Sequence, residues 1–418
     1  MPVPRRLRPA HLAAVIAIFV VLGGGAVAMG WVGPPSGSAP PAGTAGGPAA
    51  KVAAVHLTVN PADGATGVTL DAPVDVAVSD GHLLSVKVTA RSGAATAAAL
   101  TTPGPQPGNG PASLPGALGA GSWTSSAPLE PAATYDVAAT VADGTGRTSQ
   151  LGTTFSTLSP QKVLKVSISP LNGQTVGIGM PLALYLSQPV TDHSGFLARA
   201  QVTTTPPVAG EWHWFSDTEV HYRPQTYWPS GTKVTFDGLL AGWDAGGGTW
   251  SVTPRHMAFT VGAAHVSTVD ATTHQMTVTD AGQVVKVLPV STGRDKYPTD
   301  SGVHVVSEKV PTIVMDSATV GIPRASPDGY YETVQWDVRI SNSGEFVHAA
   351  PWSVSDQGHQ NVSHGCVNLS VADGQWFFNF SNPGDIVTVA GTPVPLAPTN
   401  GFGDWNVPWD QWANQQVQ

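Results

Sequence analysis

The chain of 418 residues has one cysteine, Cys366, and only 11% charged residues. One thiol cannot close an internal disulfide, so no disulfide framework holds this fold. So few charges, set among abundant Ala, Gly, Thr, Val and Pro, speak against helical bundles and for β-rich modules with many turns. The net charge of -9 is spread out, and no basic patch offers a nucleic-acid footprint. Long apolar runs are missing except for one, Leu12 to Val32, preceded by Arg5, Arg6 and Arg8. About 20 apolar residues span a bilayer, so the run is long enough to anchor the chain, with the arginines left in the cytoplasm. Ala26-Val27-Ala28 also offers a cleavage site, and a removed signal peptide is the alternative. No cysteine follows the run, which excludes a lipoprotein anchor. Both readings export the remainder.

Export makes Cys366 anomalous, because an unpaired thiol outside the cytoplasm can oxidise or cross-link. It is either a buried structural residue or a reactive one. Its setting is Asn361-Val-Ser-His-Gly-Cys-Val-Asn-Leu369. A nucleophilic cysteine needs a base and donors aimed at a developing oxyanion. Gly365 permits a sharp turn that points backbone N–H groups at one spot. His364 stands too close in sequence to meet the thiol squarely and reads as a structural histidine, and His359 reads as a loop histidine. His348 closes the strand-like run Gly344-Glu-Phe-Val-His348, a firm mounting for a base, with a third group to orient it. No C-x-x-C or H-E-x-x-H spacing supports a zinc site, and no metal or cofactor is expected.

The rest of the chain alternates short strand-like runs with turns. Residues 1–50 read as signal or anchor and linker, the latter rich in Gly, Pro, Ser and Ala. Residues 51–158 read as one β-sandwich of immunoglobulin type and 159–262 as a second. Val55–Val59 leading into Pro61-Ala-Asp-Gly64 is echoed by Val166–Ser169 leading into Pro170-Leu-Asn-Gly173. Residues 101–121, rich in Pro and Gly, read as a long loop, and Asp244–Gly248 as a turn. Residues 263–391 read as a third, mostly β domain with one short helix over Val371–Phe380. The tail 392–418 carries Trp405, Trp409 and Trp412, and is expected to pack on the catalytic domain.

His348, Pro351-Trp-Ser353, Gln357-Gly-His359 and Ser363-His-Gly-Cys-Val-Asn368 together resemble the active-site signature of the YkuD-type L,D-transpeptidases, most closely the actinobacterial members with tandem immunoglobulin-like domains. The likeness extends through Ile313-Val-Met-Asp316, Gly329-Tyr330, Ser343-Gly344 and Gly403–Trp412. It implies a peptidoglycan enzyme in which Cys366 attacks a tetrapeptide stem and expels D-alanine. His348 would be the base, and the amine of a diamino acid on a second stem would accept the acyl group, giving a 3→3 cross-link. It further implies an oxyanion hole around His364, Gly365 and Cys366, a lid bearing Tyr330, a cleft lined by Met315 and Trp352, and substrate contacts at Ser343, Gly344 and Asn368. Carbapenems are the implied inhibitors. Where relatives often carry serine after the base histidine, this chain has Ala349, so the orienting group must be a backbone carbonyl if His348 is to be held equally well. A carboxypeptidase using water as acceptor and a non-catalytic peptidoglycan-binding protein are the alternatives. Nothing in the sequence suggests an obligate oligomer.

Overall fold

A computed structural model describes residues 54–92 and 113–414. The apolar run Leu12 to Val32 lies outside them, and no helix among the described residues is long and apolar enough to cross a membrane. The chain is mainly β and divides into two compact units.

The first unit runs to Val163 and includes 241–244 and 248–252. It holds a four-stranded sheet (His56–Asn60, Asp75–Ser79, Gly116–Leu118, Ser122–Ser125) and a three-stranded one (Gly81–Ser92, Ala133–Asp143, Thr148–Ser156). Val76, Val88, Trp123, Tyr135, Val137 and Phe155 fill its core. Strand Gly116–Leu118 falls inside the stretch expected to be loop, its three residues exposed and its hydrogen bonds made to Ser122–Ser125. Its composition is poor in β-formers, so the pairing partner decides the conformation.

The second unit holds the second sandwich and the third domain. The repeat seen in the sequence has a physical basis. In the first sandwich Gly64 N–H donates to Thr154 O and Asp63 accepts from Thr154 N–H, at 2.7 and 2.8 Å. In the second, Gly173 N–H donates to Ala258 O and Asn172 accepts from Ala258 N–H, at 2.7 and 2.9 Å. Each turn thus staples the first strand's exit to the last strand.

The third domain has two sheets. The first orders its strands β3-β2-β1-β9-β4, from β1 (His265–Asp270), β2 (Gln275–Asp280), β3 (Gln283–Pro289), β4 (Gly302–Val305) and β9 (Ile386–Ala390). The second is β5 (Glu308–Asp316), β6 (Tyr331–Arg339), β7 (Phe346–Ala349) and β8 (Val367–Leu369), in that order, with β7 and β8 parallel. Helix Val371–Phe380 packs on β6, β7 and β8; Ser370 caps it by accepting from Asp373 N–H at 3.1 Å. Val269, Met276, Leu288, Val338, Val347, Val367, Leu369, Phe377 and Val387 form one shared core, each at most 2% exposed. The short strands that carry the site are therefore fixed by burial on both faces.

The tail contacts both the third domain, through Val394, Leu396 and Asn400, and the second sandwich. Asn406 does bond β4, through Val303 N–H and O, but the tryptophans sit on the second sandwich. Trp405 Nε1–H donates to Gly179 O and Trp412 Nε1–H to Glu211 O. The guanidinium of Arg223 lies 4.6 Å over Trp405 and 4.2 Å over Trp412, and the sandwich thereby supplies the cation these rings attract. Beside them His221 and Asp404, 1% and 0% exposed, pair at 2.8 Å. Gly177 completes the junction: a Cβ there would stand 2.3 Å from Asp385 N.

Burial alone lowers the affinity of His221 for a proton, but the Asp404 and Glu219 carboxylates outweigh it and carry its pKa up to about 9. A folded-state pKa raised this way contributes stability in full below the unfolded value of about 6.5 and loses it as pH rises through about 9. The melting temperature of this unit should therefore fall between about pH 6.5 and about pH 9.5 in the wild type and stay flatter in Asp404→Asn. At about pH 6.5 that variant should be destabilised by about 3 kcal/mol, since it strands one partner of a buried pair. Parallel melting curves with equal pH slopes would refute the assignment.

Candidate active site

The chain enters the site along residues 291–294, which pair with the loop before β8. Ser363 N–H donates to Thr292 O at 3.0 Å, Arg294 N–H to Ser363 O at 3.0 Å, and Asn368 N–H to Ser291 O at 2.8 Å. Gly365 has φ of 125°, a conformation for glycine alone, and a Cβ there would meet nothing nearer than Glu345 Cγ at 3.6 Å. Backbone conformation, not space, requires this glycine. Ser363 Oγ donates to Cys366 O at 2.6 Å and accepts from Gly365 N–H at 3.1 Å, and Thr299 Oγ1 donates to Gly365 O at 2.7 Å. The turn is thus braced from both sides. It also departs from the expected oxyanion hole: Gly365 N–H is spent on Ser363, while no backbone acceptor takes Cys366 N–H among the described residues.

Parallel pairing sets Val347 beside Val367 and His348 beside Asn368, so Cys366, one residue before β8, stands next to Phe346. The thiol lies 3.7 Å from Gly344 O. His348 is 2% exposed, and its Nδ1 is 2.9 Å from Ala349 O. A carbonyl only accepts, so Nδ1 carries the proton and Nε2 holds the lone pair, the tautomer a base needs.

Burial pushes the His348 pKa down to about 4, opposed by the Ala349 carbonyl. Burial likewise pushes the Cys366 thiol up to about 12; the Phe346 amide opposes this and the carboxyls of Glu345 and Asp337 add to it. Those two carboxyls are themselves buried and pushed up to about 7 by desolvation. Asp337 owes its place to a bulge: Gln335 pairs with Ala349 and Val338 with Val347, leaving Trp336, at φ 63°, and Asp337 against His348 alone. Burial thus favours the neutral form of both the Cys366 thiol and the His348 imidazole.

A cavity of about 270 Å³ opens over this pair. Met315, Tyr330, His348, Trp352, His364, Cys366 and Asn368 all line it, together with Asp328 and Glu332. Ser343 and Gly344 do not: Ser343 is exposed and held by Asn400, accepting from its Nδ2 at 2.9 Å and donating its N–H to Oδ1 at 2.8 Å. Asn368 is 2% exposed and donates to Ser353 Oγ at 3.0 Å, so it holds the 351–353 turn that carries Trp352. His359 is exposed and outside the cavity lining. Residues that sequence reasoning missed are Thr299, Glu345 and Asp337, and Arg294, whose Nη2 donates to His364 Nε2 at 2.8 Å. Nothing local in the sequence marks them. Among the described residues no group of three or more His, Cys, Asp or Glu is placed to hold a metal ion.

The sequence model of the L,D-transpeptidase catalytic domain matches residues 264–389, and that of the bacterial Ig domain matches 110–244, straddling the expected boundary between the two sandwiches. The chain is 37% identical over 410 residues to L,D-transpeptidase 2 of Mycobacterium tuberculosis, covering 97% of this chain and 95% of that one. It is 33% identical to L,D-transpeptidase 5 of the same species, over 87% of this chain and 77% of that one. A solved L,D-transpeptidase in complex with imipenem is 35% identical, covering 55% of this chain and 100% of that one, with a TM-score of 0.49.

With a thiol this hard to ionise, alkylation of Cys366 by iodoacetamide should accelerate steadily from about pH 6 to about pH 9. Intact mass reads it cleanly because the chain has one cysteine. A plateau below about pH 8 would show a stable thiolate and contradict the neutral pair.

Proposed function

The chain belongs to the L,D-transpeptidase family, enzymes of peptidoglycan cross-linking, and we propose that it forms 3→3 links through a thioester on Cys366. The observation that carries this reading is the fixed tautomer of His348, with Nε2 free to act, in the same cleft as the only thiol of the chain.

The sulfur attacks the carbonyl between the third and fourth residues of a donor tetrapeptide. As the S–C bond forms, His348 Nε2 takes the thiol proton, so no free thiolate need accumulate at the start. The imidazolium then gives this proton to the departing amine as the C–N bond breaks and D-alanine leaves. Burial disfavours the imidazolium, which makes its return of the proton easy and its lifetime short. The amide of Cys366, with no backbone partner, is the donor best placed for the oxyanion. In the second half the side-chain amine of a diamino acid attacks the thioester. His348 takes a proton from that amine and returns it to sulfur. Water attacking in place of the amine would give hydrolysis.

Met315, Tyr330 and Trp352 supply apolar walls that exclude water from the thioester. Peptidoglycan lies outside the cytoplasmic membrane, and the apolar run Leu12 to Val32 serves to export the chain, as an anchor or a removed signal. Carbapenems are the inhibitors this reading implies, and a relative has been solved with imipenem.

Incubated with a disaccharide-tetrapeptide, the enzyme should yield cross-linked dimers and free D-alanine. Tripeptide without dimer would mean a carboxypeptidase. Imipenem should add to the wild type and not to Cys366→Ser, and an adduct that survives the substitution would overturn the assignment of the nucleophile.

A further inference from the structure

Arg294 joins two parts of the site that the reaction as described does not connect. Its Nη2 stands 2.8 Å from His364 Nε2 and 2.5 Å from Asp328 Oδ1, so the two hydrogens of one nitrogen serve two partners. Asp328 lies in the connection between β5 and β6, the segment the family resemblance implies as a lid; His364 adjoins Gly365 and Cys366. The same carboxylate receives Lys296 Nζ at 2.5 Å and Tyr297 OH at 3.2 Å. The rings of Tyr297 and Tyr330 flank the imidazole, each at 5.0 Å between centroids.

A guanidinium nitrogen donates and never accepts. His364 Nε2 must therefore be an acceptor, which makes the ring neutral with its proton on Nδ1. This arrangement is opposite in purpose to that of His348. There a carbonyl leaves Nε2 open for a proton; here a guanidinium occupies Nε2 and closes it.

We propose that Arg294 is a positioning residue for acyl transfer: it locks His364 in the neutral, Nδ1-protonated form and ties the Cys366 turn to the lid through Asp328. His364 is then a strut, unable to compete with His348 for the thiol proton. The charged and titratable groups that face it are Arg294, Lys296 and Tyr297 from the loop after β3, Asp328 and Tyr330 from the lid, and Cys366 on its own turn. Burial holds the His364 pKa down, and the charge of Arg294 adds to this while Asp328 opposes it.

The proposal builds on Cys366 as the acylated nucleophile, but the tautomer is a resting-state property read without turnover, so the two can fail separately. Nitrogen-15 NMR of the full chain at about pH 7, with the His364 signals assigned by their loss in His364→Asn, reads it directly. Expected is a protonated Nδ1 and an unprotonated Nε2. A protonated Nε2 in the wild type overturns the proposal whatever the activity. In Arg294→Met the His364 midpoint should rise toward about 6.5, and imipenem acylation should slow about tenfold or more. An unchanged tautomer and an unchanged acylation rate in that variant would equally overturn it.

Discussion

The hydrogen bond from His348 Nδ1–H to the Ala349 carbonyl decides what the rest of the structure can do. It leaves a buried imidazole with a single open nitrogen, which the proposed role as base requires. It also explains why an alanine can follow the base: the group that orients the ring is one every residue carries. The carbonyl is held in place by the β-structure around it, since Ala349 is the last residue of β7, paired with Gln335 on one side and Leu369 on the other. A hydroxyl in its place could rotate; a ladder carbonyl cannot.

From that constraint the remaining architecture follows. The parallel pairing of β7 with β8 brings Cys366 alongside the strand of His348, although the two stand eighteen positions apart in sequence. The helix Val371–Phe380 and the shared core lock both strands, and Gly365 supplies the one backbone conformation the turn demands. The bulge at Trp336 and Asp337 adds a buried carboxyl opposite His348, and it adds a little to the upward push that burial already gives the Cys366 thiol.

How much of this was legible depended on distance along the chain. Strand alternation located most of the third domain, and the helix over Val371–Phe380 has the expected bounds, because burial there follows local pattern. The motif around Cys366 was readable because its residues are consecutive. Arg294 and Asp328 were not, since their partners lie 70 and 34 residues away and arginine–carboxylate pairs leave no periodic trace. Gly365 read correctly as a turn residue, yet which amides it would leave free depended on Ser363 Oγ, a bond no spacing predicts. The tail's tryptophans announced packing, while their partner, Arg223 in the second sandwich, sits about 180 residues earlier in the chain.

The central claim is that a neutral thiol and a neutral imidazole exchange a proton as the sulfur attacks. The solvent isotope effect on acylation of Cys366 by imipenem tests it most directly. With the proton in flight in the rate-limiting step, the wild type should react about twofold or more slowly in heavy water. A rate in heavy water equal to or faster than that in light water would show a preformed thiolate–imidazolium pair and contradict the account.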